Sequence, residues 1–121
     1  MDRISGQNNR NESQIEFVSD PVTHHDSAAD FYAAVIRLLW DGWDSAENTE
    51  KHIRTAVPTS RSLAELKRKV AENLDITPIP SFTPDLTGPT DILSFRDEWN
   101  AQEFVWVSND QYHYMEWGTS A

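Results

Sequence analysis

Two segments near the C-terminus, Glu103 to Val107 and Tyr112 to Trp117, are dense in aromatic and β-branched residues, and Ser108-Asn109-Asp110-Gln111 between them has turn chemistry. No other pattern restricts the chain as much, because a hairpin with so much aromatic area needs neighbouring strands and a layer to cover it. With a two- or a four-residue loop, Val107 faces Tyr112 and Trp106 faces His113. Phe104, Trp106, His113 and Met115 then share one face, while Glu103, Val105, Val107, Tyr112, Tyr114 and Glu116 share the other. The first face is expected to pack on helices. The second, with its tyrosines and carboxylates, is expected to be open to a partner.

Three helices are expected to supply the covering layer. Ser27 followed by Asp30 resembles a capping box, and Phe31, Val35, Leu38 and Leu39 recur at helical spacing, so a helix is predicted from Ala28 to Asp41, with Gly42 ending it in a left-handed cap. A second, with a thin apolar stripe around Ile53, is predicted to start after Asp44 or Ser45 and run to about Ala56, before Pro58. A third begins at Ser62, where Ser62 and Glu65 form a capping box and Leu63, Leu66, Val70 and Leu74 make one stripe. Pro78, Pro80, Pro84 and Pro89 make the stretch from Asp75 to Pro89 an extended connector. Gln14 to Val18 alternates as a short strand, and Asp91 to Trp99, though its apolar spacing also fits a helix, reads as a strand beside the hairpin. Residues 1 to 13, polar and without periodicity, read as a disordered tail, and residues 14 to 121 as a single α+β domain with about three helices on a small antiparallel sheet.

Charge constrains partners as the hairpin constrains fold. The net charge of −10 is unevenly spread: residues 11 to 50 carry nine acids against Arg37, and residues 75 to 121 carry eight acids against Arg96. Between them, residues 51 to 74 carry six bases against Glu65 and Glu72. Such a chain repels nucleic acid and anionic membrane and attracts basic surfaces. Lys67-Arg68-Lys69 with Arg54 and Arg61 spreads over the polar side of the third helix and reads as a solvated face neutralised by acids elsewhere. The hairpin aromatics resemble a single-strand stacking platform, but in a segment of the wrong sign.

Familiar catalytic patterns are missing. There is no cysteine, hence no disulfide or thiolate chemistry, and no G-x-S-x-G or phosphate-binding glycine loop. Asp97 and Glu98 are neighbours on a strand and point to opposite faces, so they cannot flank one scissile bond. His24-His25-Asp26 offers metal-ligand types without metal-ligand spacing and reads more simply as a loop that caps the first helix. Trp40 and Trp43 beside Asp41 and Asp44 suit sugar stacking or cation binding, but also plain packing at a helix end. The N-terminal residues lack the apolar stretch of a signal peptide, which with the missing cysteines leads to an expected cytoplasmic location.

These readings converge on a small, acidic, non-catalytic protein with no cofactor that neutralises a basic protein partner, a toxin or a nucleic-acid-handling enzyme, by occupying its cationic cleft. The expected contacts are Glu103, Tyr112, Tyr114 and Glu116 on the open sheet face, and Asp41, Trp43 and Asp44 after the first helix. The alternatives are a metal-dependent enzyme built on His24, His25 and Asp26, or a subunit of a homo-oligomer paired through an edge of the hairpin.

Overall fold

The computed structural model describes residues 1–120. Six strands form one antiparallel sheet: β1 (Asp2–Asn8), β2 (Ser13–Pro21), β3 (Thr59–Ser60), β4 (Thr90–Glu98), β5 (Ala101–Ser108) and β6 (Gln111–Thr119), in the spatial order β1-β2-β6-β5-β4-β3. The helices are α1 (Ala28–Trp40), α2 (Ala46–Thr55) and α3 (Leu63–Ile76). The class is α+β, as expected.

The hairpin β5-β6 has the register its sequence implies, with Val107 opposite Tyr112 and Trp106 opposite His113. Asn109 and Asp110 make its two-residue turn, both at positive φ (51° and 59°), the geometry of a type I′ turn. The helix starts also match their signals. Ser27 Oγ accepts from the Asp30 amide, and at α3 the Ser62 and Glu65 side chains each accept from the other's backbone amide. Gly42 follows α1 at φ +73°, a conformation that favours glycine.

Each face of the sheet has its own core. On one, Ile15, Phe17, Phe104, Trp106, Met115 and Trp117 pack against Leu66 and Val70 of α3. The proline-rich connector runs along this core and adds Ile79, Phe82 and Leu86. It is tied to the hairpin by Asp85: Trp106 Nε1 donates to its carbonyl (2.9 Å), and Ser108 Oγ and Asn109 Nδ2 donate to its carboxylate (2.9 and 2.6 Å). Those donors, with the Thr87 amide first among them, push the Asp85 carboxyl down to about 2. On the other face, Val18, Phe95, Val105 and Tyr114 pack against Phe31, Tyr32, Val35 and Ile36 of α1.

Three expectations need correction. The N-terminal segment is not a disordered tail, because Asp2–Asn8 pairs residue for residue with β2. Ladder hydrogen bonds and a partner strand hold it rather than its own hydrophobicity. Ile4 reaches the first core, and Asn8 Nδ2 donates to the carbonyl of Ile76 at the end of α3 (2.8 Å). Gly6 lies so close to the connector that a Cβ there would sit 2.8 Å from Ile79 Cγ1. The hairpin has no free edge, since β6 pairs with β2 and β5 with β4, so the edge available to a second copy is β1 or the two-residue β3. The sheet of six strands is covered on both faces, where one face was expected to be open to a partner.

Phe104→Ala should cost about 3–5 kcal/mol, since Phe104 is wholly buried in the first core. Asp110→Gly should stabilise by up to about 1 kcal/mol by relieving the left-handed backbone at the turn. Urea unfolding of both variants measures the two effects.

Candidate functional site

The face expected to meet a partner is covered by α1 and α2. Tyr114 is fully buried, Glu103 is 3% exposed, and Glu116 and Tyr112 are partly buried, Tyr112 stacking on Phe31 (5.2 Å, 17°). Carboxylates on a strand suggest an open face, but these are buried with partners supplied by distant elements. Asp41, Trp43 and Asp44 lie in the open, Trp43 at 72% exposure. Asp44 is already engaged at the start of α2, accepting from Asn48 Nδ2 (2.9 Å) and the Ser45 amide (2.7 Å), which hold its carboxyl below the usual range.

Beneath this cover runs a row of charge. Strand pairing sets Ser5 opposite Glu16, Glu16 opposite Glu116, Glu116 opposite Glu103 and Glu103 opposite Arg96, so three glutamates lie side by side across β2, β6 and β5. Like charges directly opposite each other in a sheet repel. At Glu16 the repulsion is offset by Arg3, which donates twice (3.0 Å each), and by the Ser5 hydroxyl (2.6 Å). At Glu103 four groups converge. Tyr32 Oη (2.7 Å) and Arg96 Nη1 (3.0 Å) donate to Oε1, while His52 Nε2 (2.8 Å) and Tyr114 Oη (3.3 Å) lie against Oε2. Burial alone would raise the Glu103 carboxyl, but His52, Tyr32 and Arg96 outweigh it and hold it below the usual range. Burial beside this carboxylate drives the phenols of Tyr32 and Tyr114 upward.

Glu116, at the centre of the row, is different. Among the described residues no basic side chain forms an ion pair with it, and its one hydrogen-bond partner is Tyr114 Oη, 2.9 Å from Oε2. Burial, then the neighbouring Glu103 and Glu16, push its carboxyl up to about 7, against a smaller opposing effect of Tyr114. Every buried side-chain polar atom in the described structure has a partner, so the unpaired Glu116 Oε1 is open to solvent.

It opens into a cleft of about 520 Å³ floored by Glu16, Glu103 and Glu116 interleaved with Arg3, Arg96 and His52, and walled by Leu39, Trp40 and Trp43. Trp40 packs on His52 (4.4 Å) and edge-on to Trp43 (5.1 Å), so the end of α1 places an indole wall beside the carboxylates. Aromatic walls beside one carboxyl that has no ion-pair partner, and that gains and loses a proton near neutrality, suit a cation with an apolar stem. A second cavity of about 270 Å³ lies between Phe17, Phe82 and Trp106 on the opposite face.

The other sequence candidates are spent on structure. His24 Nδ1 (3.1 Å) and His25 Nε2 (2.7 Å) both reach Asp20 Oδ2 rather than converging with Asp26, and no cluster of three or more His, Cys, Asp or Glu that could hold a metal ion occurs among the described residues. On the basic helix, Lys69 (3.0 Å) and Arg61 (3.4 Å) pair with Asp97. Sequence reasoning missed Arg3, Glu16, Tyr32, His52 and Arg96. A lone arginine in a run of eight acids was the one signal available for Arg96. Comparison with protein-family models, curated proteins and solved structures finds no match.

Arg96→Met should destabilise the protein by about 3–5 kcal/mol, because it leaves Glu103 charged and buried without its cation, with Glu103→Gln milder; thermal unfolding compares them. Glu116 gives a pH signature of known sign. Its carboxyl is raised in the folded state, so its stabilising contribution is complete below the ordinary value of 4.5 and is lost as pH rises through about 7. Between pH 5 and pH 8 the wild type should lose more stability than Glu116→Gln, and denaturant unfolding at both pH values measures the difference.

Proposed function

We propose that this chain is a non-catalytic acidic protein that captures and neutralises a basic protein partner, in the manner of toxin-immunity proteins and inhibitors of nucleic-acid-handling enzymes. One observation carries this reading: the cleft holds a carboxylate, Glu116, with no cation of its own, beside an aromatic wall. The net charge of −10 steers a basic partner to the cleft and keeps nucleic acid and anionic membranes away. Of the seven residues expected from sequence, Trp43 serves as the exposed anchor, Asp41 as rim charge and Glu116 as the acceptor in the floor. Glu103 and Tyr114 position Glu116 from beneath. No helix among the described residues is long and apolar enough to cross a membrane, and a cysteine-free chain fits work in the cytoplasm.

An acid-base enzyme is the second reading, since a carboxyl near 7 beside an ionised one is also a catalytic arrangement. The engagement of Glu103 by Tyr32, Arg96 and His52 favours binding, because it ties that carboxylate to the fold rather than leaving it free to act on a substrate.

The test is retention of a basic protein from nuclease-treated host extract, followed by calorimetry and an activity assay on the purified pair. Trp43→Ala should weaken binding by tenfold or more, and Asp41→Lys should slow association and flatten its salt dependence. A partner indifferent to both changes, or one whose activity survives at stoichiometric complex, would sink the proposal.

A further inference from the structure

The charge on the cleft floor is incomplete in a way that specifies what fills it. Glu16 has Arg3, Glu103 has Arg96, and Glu116 between them has neither. Tyr114 Oη lies within reach of both Glu103 Oε2 (3.3 Å) and Glu116 Oε2 (2.9 Å). A phenol has one hydrogen, so it donates to one carboxylate and is fully satisfied only by accepting from the other. Glu103 is the ionised partner of Arg96, and a proton shared at this pair therefore sits on Glu116 rather than on Glu103. We propose that the cleft takes one arginine side chain of the basic partner, and that this guanidinium replaces the proton on Glu116, so that capture and proton release are a single event. The inference rests on the neutralising function proposed above and names the chemistry of the captured group.

The balance is simple: the carboxylic acid of Glu116 and a guanidinium become a carboxylate–guanidinium pair and a released proton. The Tyr114 hydroxyl accommodates both states, accepting from protonated Glu116 while donating to Glu103, then turning its hydrogen to Glu116 once that group is ionised. The groups that face or act on Glu116 are Arg3 from β1, Glu16 from β2, Tyr114 from its own strand, Glu103 from β5 and His52 from α2, with Tyr32 of α1 and Arg96 of β4 one contact further away through Glu103. A planar, weakly hydrated guanidinium stacks on the exposed indole of Trp43, which a compact, strongly hydrated ammonium does not.

The probe is the peptide acetyl-Gly-Arg-Gly-amide at up to tens of millimolar, with its lysine and citrulline counterparts, against the intact chain. Nuclear magnetic resonance follows the Trp43 indole and the Glu116 carboxyl, and calorimetry in two buffers of different ionisation enthalpy counts protons. The arginine peptide should perturb both signals, release about half a proton at pH 7, and bind about tenfold more tightly at pH 8 than at pH 6. Glu116→Gln, isosteric with the protonated acid, should remove both the release and the pH dependence. Trp43→Ala, at an exposed position, should weaken binding and retain the release. Equal binding of citrulline or lysine peptide, pH-independent binding, an unaltered Glu116→Gln, or no perturbation of the cleft would each overturn the proposal. A basic protein that binds through Trp43 without titrating Glu116 would overturn it and leave the neutralising function standing. A chain that takes the arginine peptide but holds no basic protein would do the reverse.

Discussion

The carboxylate of Glu103 is the group on which the second face of this sheet depends. A charge so deeply buried is tolerable only when its partners are fixed, and those partners come from four separate elements: Tyr32 on α1, His52 on α2, Arg96 on β4 and Tyr114 on β6. Arg96 extends the connection by donating to the carbonyl of His52 and to Thr55 Oγ1 at the end of α2 (3.0 Å each). The short, polar α2 has one buried residue, Thr49, and too thin an apolar stripe to be placed by hydrophobic packing alone. Polar contacts to the sheet decide where it lies.

The two faces are stabilised in different ways. On the α3 side the core is apolar and aromatic, and its few buried polar groups pair one to one between helix and sheet, as Asn73 does with Gln102 (2.8 Å) and Trp117 Nε1 with Thr77 (3.0 Å). On the α1 side an apolar core around Phe31, Val35 and Val105 gives way, toward the end of α1, to the glutamate row and then to the cleft. The cleft exists because α1 stops at Trp40 and the left-handed Gly42 turns the chain away before the helix can cover Glu116. Asp41 and Trp43 sit at that turn, and so an exposed indole borders the least compensated charge in the floor.

Much of the fold was legible in local sequence. The hairpin register follows from alternation about a two-residue turn, and Ser27, Ser62 and Glu65 mark helix starts through hydrogen bonds that span three residues. The strand at Thr90–Glu98 was harder, since Ile92, Phe95 and Trp99 fit a helical face equally well; the neighbouring strand β5 settles it. β1 was not legible at all, because Asp2–Asn8 has little apolar content and takes its order from β2 and from contacts to α3 and the connector, some seventy residues away.

The candidate site divides along the same line. The sequence by itself determined the class of the fold, the parity that puts Glu103, Tyr114 and Glu116 on one face, and the sign of the field around the molecule. These depend on residue periodicity and on summed charge, which are properties of the chain in order. Only the tertiary structure decided that this face is covered, that Glu16 lies beside Glu116, and that Arg3 and Arg96 are used up on the outer glutamates of the row while the central one has no cation. The physical reason is that a carboxylate's state is set by what lies within a few ångströms of it, and here Tyr114 and Glu103 come from the hairpin itself while Glu16, Arg3, Arg96 and His52 come from other strands and a helix, brought near only by tertiary packing.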